Sequence, residues 1–349
     1  MRLAAVACSV TAPACLVAAV ACVVAAPLCA GDWESLLAAK YLDAKQQQWA
    51  EWKPAQAAGG TCVSCHTNLT YLLARPTLRK LLNESAPTKH ETALRESLRH
   101  RLAKPMPEPP YKPGYAVETV IAAVALAPDP AALDRMWATQ LREGPNAGAW
   151  TWFSLDLDPW ETTVSPYYGA TLAALAVGSM PAAYRARPDV APRVAALIEY
   201  LRKNQAGQPL HNRLGLLWSA RNLPGLMTKQ AQAALIAELW KLQQKDHGWT
   251  LESLGPWGAH AKAPAAAPGS NAYATAVVTY TLQRAGASHK DRRLMHALNW
   301  LAEKQDGESG SWAAQSMNKA YPAGSMEADF MRDAATGFAA AALAEFDLH

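Results

Sequence analysis

The sequence predicts an all-α protein, a small helical segment followed by an α/α toroid of helical hairpins. Three observations carry that prediction. Apolar residues recur at helical spacing through most of the chain. Beyond residue 115, Ala-rich segments that are apolar nearly all round alternate with segments that keep one polar face, the pattern of buried inner helices backed by half-exposed outer ones. The loops that follow the outer segments repeat a run from a helix-ending Gln through glycine to Trp. Half of the 349 residues are hydrophobic and only 18% are charged, which suits a large buried helical core and excludes a disordered chain. The net charge of +4 is slight, and no nucleic-acid partner is expected from it.

At the N-terminus, Arg2 is the only charge before Asp32, residues 3 to 28 are almost wholly Ala, Val, Leu and Cys, and small residues lead up to Ala30-Gly31. This reads as a signal peptide over residues 1–30. Leu28-Cys29-Ala30 puts a bulky residue where a small one is preferred, and the apolar run is long enough to span a bilayer, so an uncleaved membrane anchor stays open. Cys8, Cys15, Cys22 and Cys29 recur every seven residues along it without a lipid-attachment sequence. Either reading places the remainder of the chain outside the cytoplasmic membrane, in the periplasm.

Residues 31–104 form the first predicted unit. Helical patterns cover 33–52, with Trp33, Leu37, Tyr41, Ala44 and Trp49 near helical spacing, and 91–102, with Leu94, Leu98 and Leu102 on one face. Between them stands Cys62-Val-Ser-Cys65-His66, the C-x-x-C-H spacing of covalent c-type haem attachment. Two thiols add to the porphyrin vinyl groups and the adjacent histidine ligates the iron from one face. Zinc would need more ligands in a compact cluster, yet no cysteine follows Cys65 and the next histidines are His90 and His100. A thioredoxin-like pair would lie between a buried strand and a helix, whereas Gly59-Gly60-Thr61 precedes this one. One covalently attached haem c is therefore expected, on Cys62 and Cys65, with His66 as proximal iron ligand.

The distal ligand stays open. Met106 sits in a Pro-flanked stretch able to present a thioether and raise the iron potential; His90 or His100 would give a lower potential, and no protein ligand at all would leave the iron open. Trp49 and Trp52 either pack on the porphyrin or fill core. Between Arg75 and Lys104, eight Lys or Arg face only Glu84, Glu91 and Glu96. That run is expected to be a solvated helix surface in preference to a docking face for an acidic redox partner or anionic lipid.

Pro105, Pro107, Pro109, Pro110 and Pro113 mark residues 105–114 as an extended linker. The toroid then covers residues 115–349. Inner helices are expected near 115–127, 167–178, 211–220, 271–285 and 332–346, and outer ones near 130–142, 190–204, 228–244 and 292–304. Tyr167, Tyr168, Tyr273, Tyr280 and Phe338 fall on or beside the inner helices, where they line an apolar bowl or fill it. Arg332 and Asp333 mark the mouth of that bowl or cap the last helix. The loop motif runs from Gln244 to Gly248 and Trp249, and from Gln305 through Gly307 and Gly310 to Trp312. Gln140 to Gly148 and Trp150 is a looser copy, and Gln205-Ala-Gly207 a decayed one. Glycine allows the sharp helix exit, and the indole fastens one hairpin to the next.

These Gln-to-Trp runs resemble the repeats of the squalene–hopene cyclase and prenyltransferase superfamily over residues 115 to 346. The stretches Tyr41-Leu-Asp-Ala, Trp49-x-x-Trp52, Thr61-Cys-Val-Ser-Cys-His-Thr67, Tyr71-Leu-Leu-Ala-Arg-Pro76, Pro159-Trp-Glu-Thr162 and Tyr167-Tyr-Gly-Ala170 resemble a bacterial group that joins a c-type haem segment to a cyclase-like toroid. The resemblance implies architecture, not a reaction. Protonating cyclases use Asp-x-Asp-Asp, whereas Asp156-Leu-Asp158-Pro159 lacks the last carboxylate and reads as turn-forming and helix-capping residues. Zinc prenyltransferases need a Cys in this region, and residues 115–349 contain none. Glu118, Glu161, Asp329 and Asp333 are the carboxylates available for a glycosidase-like pair, but no spacing pairs them.

No catalytic residue is assigned. The expected function is an exported c-type haem redox protein that exchanges electrons with a partner still to be identified, its toroid binding an apolar, isoprenoid or quinone-like molecule. A haem-dependent oxidoreductase acting on an apolar substrate and a non-redox terpenoid-binding protein are the alternatives. An iron with an open distal position would favour the first of these.

Overall fold

The computed structural model describes residues 32–57 and 60–349. The expected signal peptide and its four cysteines lie outside the described residues. Among those residues no helix is long and apolar enough to cross a membrane.

The chain is all-α. Helices α1 (Ser35–Glu51), α2 (Asn68–Leu81), α3 (Lys89–Leu102), α4 (Pro113–Leu126), α5 (Pro130–Ala138) and α6 (Ser165–Gly178) are followed by a single turn, α7 (Ala182–Arg185). Then come α8 (Ala191–Lys203), α9 (Leu210–Ala220), α10 (Lys229–Leu242), α11 (Ala272–Arg284), α12 (Arg292–Glu303) and α13 (Met326–Asp347). A ribbon of two-residue strands, Gln56–Ala57 against Gly60–Thr61, is the one sheet among the described residues.

Helices α2, α4, α6, α9, α11 and α13 pack side by side in that order, and α13 packs back on α2, so six inner helices close a ring. Helices α1, α3, α5, α8, α10 and α12 stand outside it, each preceding an inner helix in the chain. The alternation read from the Ala-rich segments is present: α4, α6, α9, α11 and most of α13 are buried on nearly every side.

The boundary at residues 105–114 does not divide two cores. Helix α2, on the haem-motif side of it, is the sixth inner helix and fills the gap between α13 and α4. Leu42, Leu69, Leu78 and Leu98 belong to the same continuous apolar core as Leu214 and Leu343. The ring therefore has six hairpins where the sequence pattern showed five. Two features hid the sixth: α2 carries Arg75, Pro76, Arg79 and Lys80, so it lacks the all-apolar look of its neighbours, and it precedes the proline-rich stretch that resembled a domain boundary.

Close helix approach explains the small residues. A Cβ at Gly337 of α13 would lie 2.5 Å from the Thr70 Cβ of α2, and one at Gly215 of α9 would lie 2.4 Å from the Thr171 hydroxyl of α6. The loop tryptophans are buried and share one role: the indole N–H donates to the preceding outer helix, Trp150 to Met136 O at 2.9 Å, Trp249 to Leu239 O at 2.8 Å and Trp312 to Leu301 O at 2.6 Å. The glutamine amides supply the fastening between hairpins. Gln140 donates to Arg193 O of α8, Gln243 to Arg293 O of α12, and Gln305 to Glu34 O just before α1. In the second repeat the linking residue is Gln243, one position before the Gln244 read from the sequence, since Gln244 turns back onto Leu242 O. The Gln305 link joins the last outer helix to the first and closes the outer layer as α2 closes the inner one.

Replacing Gly337 with Val forces α13 off Thr70. Overpacking of this kind costs about 1–3 kcal/mol, so urea unfolding of Gly337→Val is expected at a clearly lower midpoint. An unchanged midpoint would show that the ring is not closed at this contact.

Candidate functional site

All six inner helices begin at the same end of the ring. The connections that lead into them, residues 52–67, 103–112, 139–164, 204–209, 243–271 and 304–325, gather there, while the opposite end carries mostly short turns. The Cys62–His66 motif is the last part of the first of these connections, directly before α2.

Its backbone is fixed by side chains on both sides. Asn68 Oδ1 accepts from the Ser64 amide at 2.7 Å and its hydroxyl at 2.9 Å, while Asn68 Nδ2 donates to Gln46 of α1. The Trp49 indole donates to Cys62 O at 2.8 Å, so Trp49 holds the motif in place in addition to filling core. Cys62 and Cys65 are both unpaired thiols. Burial pushes both thiols up in pKa, Cys65 the more strongly, which keeps them protonated.

His66 is half-buried, and desolvation by its surroundings pulls its pKa down to about 3, so the ring is neutral. Its Nδ1 lies 3.0 Å from the Thr67 hydroxyl, and that hydroxyl donates to Asp333 Oδ2 at 2.7 Å. A hydroxyl that gives its proton to the carboxylate must accept from the ring, so Nδ1 carries the hydrogen and Nε2 keeps a bare lone pair. Asp333 Oδ1 accepts from Tyr41 of α1 at 2.9 Å. Burial raises the Asp333 carboxyl to about 6, against the two hydroxyls that hold it down. Asp333 is thus neither a cap nor a mouth residue: it orients His66 through Thr67, as outer-shell carboxylates orient metal-binding imidazoles.

Aromatic rings surround the imidazole. Phe330 stacks on it at 3.8 Å between centroids, and Trp49 and Trp160 stand at 5.5 Å. A cleft of about 90 Å³ opens beside it, lined among others by Asp158, Trp160, Glu161, Phe330 and Met331. Burial raises the pKa of Glu161, and its carboxyl has no hydrogen-bond partner among the described residues. Of the four carboxylates considered from sequence, the others are committed: Glu118 to Arg101, Asp329 to Lys45 and Arg332, and Asp333 to the network above. Arg332 is therefore a surface partner of Asp329.

The distal-ligand candidates are dispersed. Met106 is half-buried in the irregular stretch between α3 and α4 and does not line the cleft; Met331 is the methionine that does. His90 opens α3 at the far end of the ring and His100 faces solvent on α3. The basic run is divided: Lys80, Lys89 and Arg99 are exposed as expected, while three arginines are structural. Arg75 is 1% exposed and pairs with Asp43 and Glu84, Arg79 pairs with Glu91, and Arg101 with Glu118. These ties bind α2 to α1 and α3, and α3 to α4, as expected for a helix inserted into a ring.

The middle of the ring is filled. Tyr168, Tyr273 and Phe338 close on His211, whose Nε2 is 2.8 Å from the Tyr273 hydroxyl, and leave a void of about 30 Å³. Tyr167 points outward to Leu201 O, and Tyr280 packs on Trp218. Beyond this plug, at the opposite end, a concavity of about 710 Å³ is lined from all six inner helices, with Leu73, Val124, Leu175, Trp218, Tyr280 and Glu345 in its wall.

Asp156 is an exposed turn residue with positive φ. Asp158 is buried and caps no helix. Its Oδ2 accepts from the Gly258 amide at 2.7 Å and His260 Nε2 at 2.8 Å, and its backbone exchanges two bonds with Asn318. Three connections are tied together at this residue. Sequence reading missed His260, Phe330, Met331, the placement of Tyr41 and the role of Thr67. Only Thr67, adjacent to the motif, carried a local signal.

No protein-family model and no curated protein matches the chain. Among solved structures, a polysaccharide lyase superposes with a TM-score of 0.36 at 14% identity, covering 90% of each chain. That likeness bears on no activity.

Thr67→Val removes the hydroxyl between His66 and Asp333. Leaving a buried polar group without its partner costs about 1–3 kcal/mol, so chemical denaturation is expected to register that loss. The His66 nitrogen shifts in an NMR spectrum are expected to lose the single Nδ1–H tautomer; retention of that tautomer would refute the relay.

Proposed function

We propose that this chain is an exported haem c protein that transfers electrons. Cys62 and Cys65 would hold the porphyrin, and His66 Nε2 would be the proximal ligand. The observation that supports this best is the donor set. Two unpaired thiols and a neutral imidazole stand close together in one segment, and the imidazole's Nδ1 is engaged by Thr67 and Asp333 so that Nε2 is the free nitrogen. Among the described residues no group of three or more His, Cys, Asp or Glu converges as a metal cluster would.

The donors fit the group in chemistry. In space they do not yet fit: the cleft of about 90 Å³ is smaller than a porphyrin, and neither Cys62 nor Cys65 lines it, so the reading requires Phe330 and Trp160 to move. When bound, the haem supplies a one-electron couple at its iron. The protein's own part is to fix the ring of His66, exclude water with Trp49, Trp160 and Phe330, and raise the electron density of the imidazole through Thr67 and Asp333. Glu161, unpartnered in the same cleft, favours one second reading: a haem-dependent oxidoreductase in which this carboxyl gives a proton to a molecule beside the iron.

The secreted protein, made where haem is attached, is expected to gain the mass of one haem and to give a c-type haemochrome spectrum. Cys62→Ser with Cys65→Ser is expected to abolish both; a wild-type product with the mass of bare polypeptide would refute the reading. Rapid carbon monoxide binding by the ferrous form would favour the oxidoreductase. Loss of a thioether-to-iron absorption band on Met331→Ala or on Met106→Ala would identify the distal ligand.

A further inference from the structure

A second, larger concavity adjoins the cleft at the same end of the ring. It encloses about 470 Å³ between the connections that precede α11 and α13, and Ser316 is common to its wall and that of the His66 cleft. Its wall combines Trp257, alanines and Met317 with the polar side chains of Glu252, His260, Asn271 and Arg332. The two walls are pinned together: Gln315 Nε2 donates to Ala265 O at 2.6 Å, and the Ala320 amide to Lys262 O at 2.9 Å.

Among these polar side chains, His260 has a fixed orientation. His260 is 11% exposed and its Nε2 meets Asp158 Oδ2 at 2.8 Å, beside the Gly258 amide that donates to the same oxygen. A carboxylate only accepts, so Nε2 carries the hydrogen and, in the neutral ring, Nδ1 is an acceptor. Nδ1 has no partner among the described residues. A purely apolar occupant would leave that acceptor unsatisfied, and a ketone or ether would set acceptor against acceptor. The matching occupant has an apolar body and a hydroxyl.

We infer that this groove binds an apolar ring molecule bearing a hydroxyl, a phenol or hydroquinone, with the hydroxyl donating to His260 Nδ1 and the ring against Trp257. This binding does not rest on the haem reading.

The test is calorimetric titration with 1-naphthol and with 1-methoxynaphthalene, which differ in the hydroxyl hydrogen. It is run on the haem-bearing protein and on the Cys62→Ser, Cys65→Ser form. In both, naphthol is expected to bind about tenfold tighter, equivalent to about 1.4 kcal/mol, the size of one hydrogen bond. His260→Phe is expected to erase the preference. Ala267→Trp, which fills the groove and leaves the Asp158 contacts alone, is expected to weaken both compounds. Equal affinities in the unmodified protein, no binding of either, or binding unaltered by Ala267→Trp would each overturn the inference. So would a preference that survives in His260→Phe. If the preference holds in the haem-free form while the secreted protein proves colourless, the haem reading alone has failed.

Discussion

The structure depends on one closure: α2 must insert between α13 and α4. At that seam a buried carboxylate, Asp333, accepts from Thr67 of the connection before α2 and from Tyr41 of α1. Close by, Gly337 admits Thr70. Burying a carboxyl is costly unless hydrogen bonds hold it, and here the bonds that hold it come from the first hairpin while the carboxyl belongs to the last. The contact that closes the ring is therefore the contact that orients His66. Stability and site geometry share the same three side chains.

The site's position follows from chain direction. Because each inner helix is entered from its outer partner, every outer-to-inner connection arrives at one end, where length is free to vary without disturbing the ring. The Gln and Trp ties hold these connections to the outer helices, and Asp158 ties three of them to one another. In the middle of the ring alanine and glycine draw the inner helices together, and Tyr168, Tyr273, Phe338 and His211 fill the space left there.

The imidazole is half-buried, flanked by three aromatic rings, and polarised through a hydroxyl to a carboxylate from the far end of the sequence. Such surroundings limit water at the ring and strengthen the imidazole as a donor. Three arginines of the first unit serve the ring. Arg75, Arg79 and Arg101 neutralise carboxylates between helices, where an unpaired charge would be strongly destabilising.

Several features were legible in the residues themselves: the helical class, the alternation of inner and outer helices after residue 115, the Trp-bearing loops, and Cys62, Cys65 and His66 as a set. Each depends on periodicity or spacing within a few turns, which local sequence records. Ring membership of α2 was not legible, because its buried arginines look like surface until Asp43, Glu84 and Glu91 are seen beside them. Nor was Thr67–Asp333, which joins residues 266 positions apart, nor the pairing of Asp158 with His260 across 102. The fill at the middle of the ring was equally hidden, since tyrosines on an inner helix line a bowl or plug it according to how closely the helices approach. Sequence by itself determined the helical class, most of the helical segments and the grouping of Cys62, Cys65 and His66. Tertiary structure alone decided that those segments form one closed ring and that His66 presents Nε2, because both outcomes depend on contacts between the two ends of the chain.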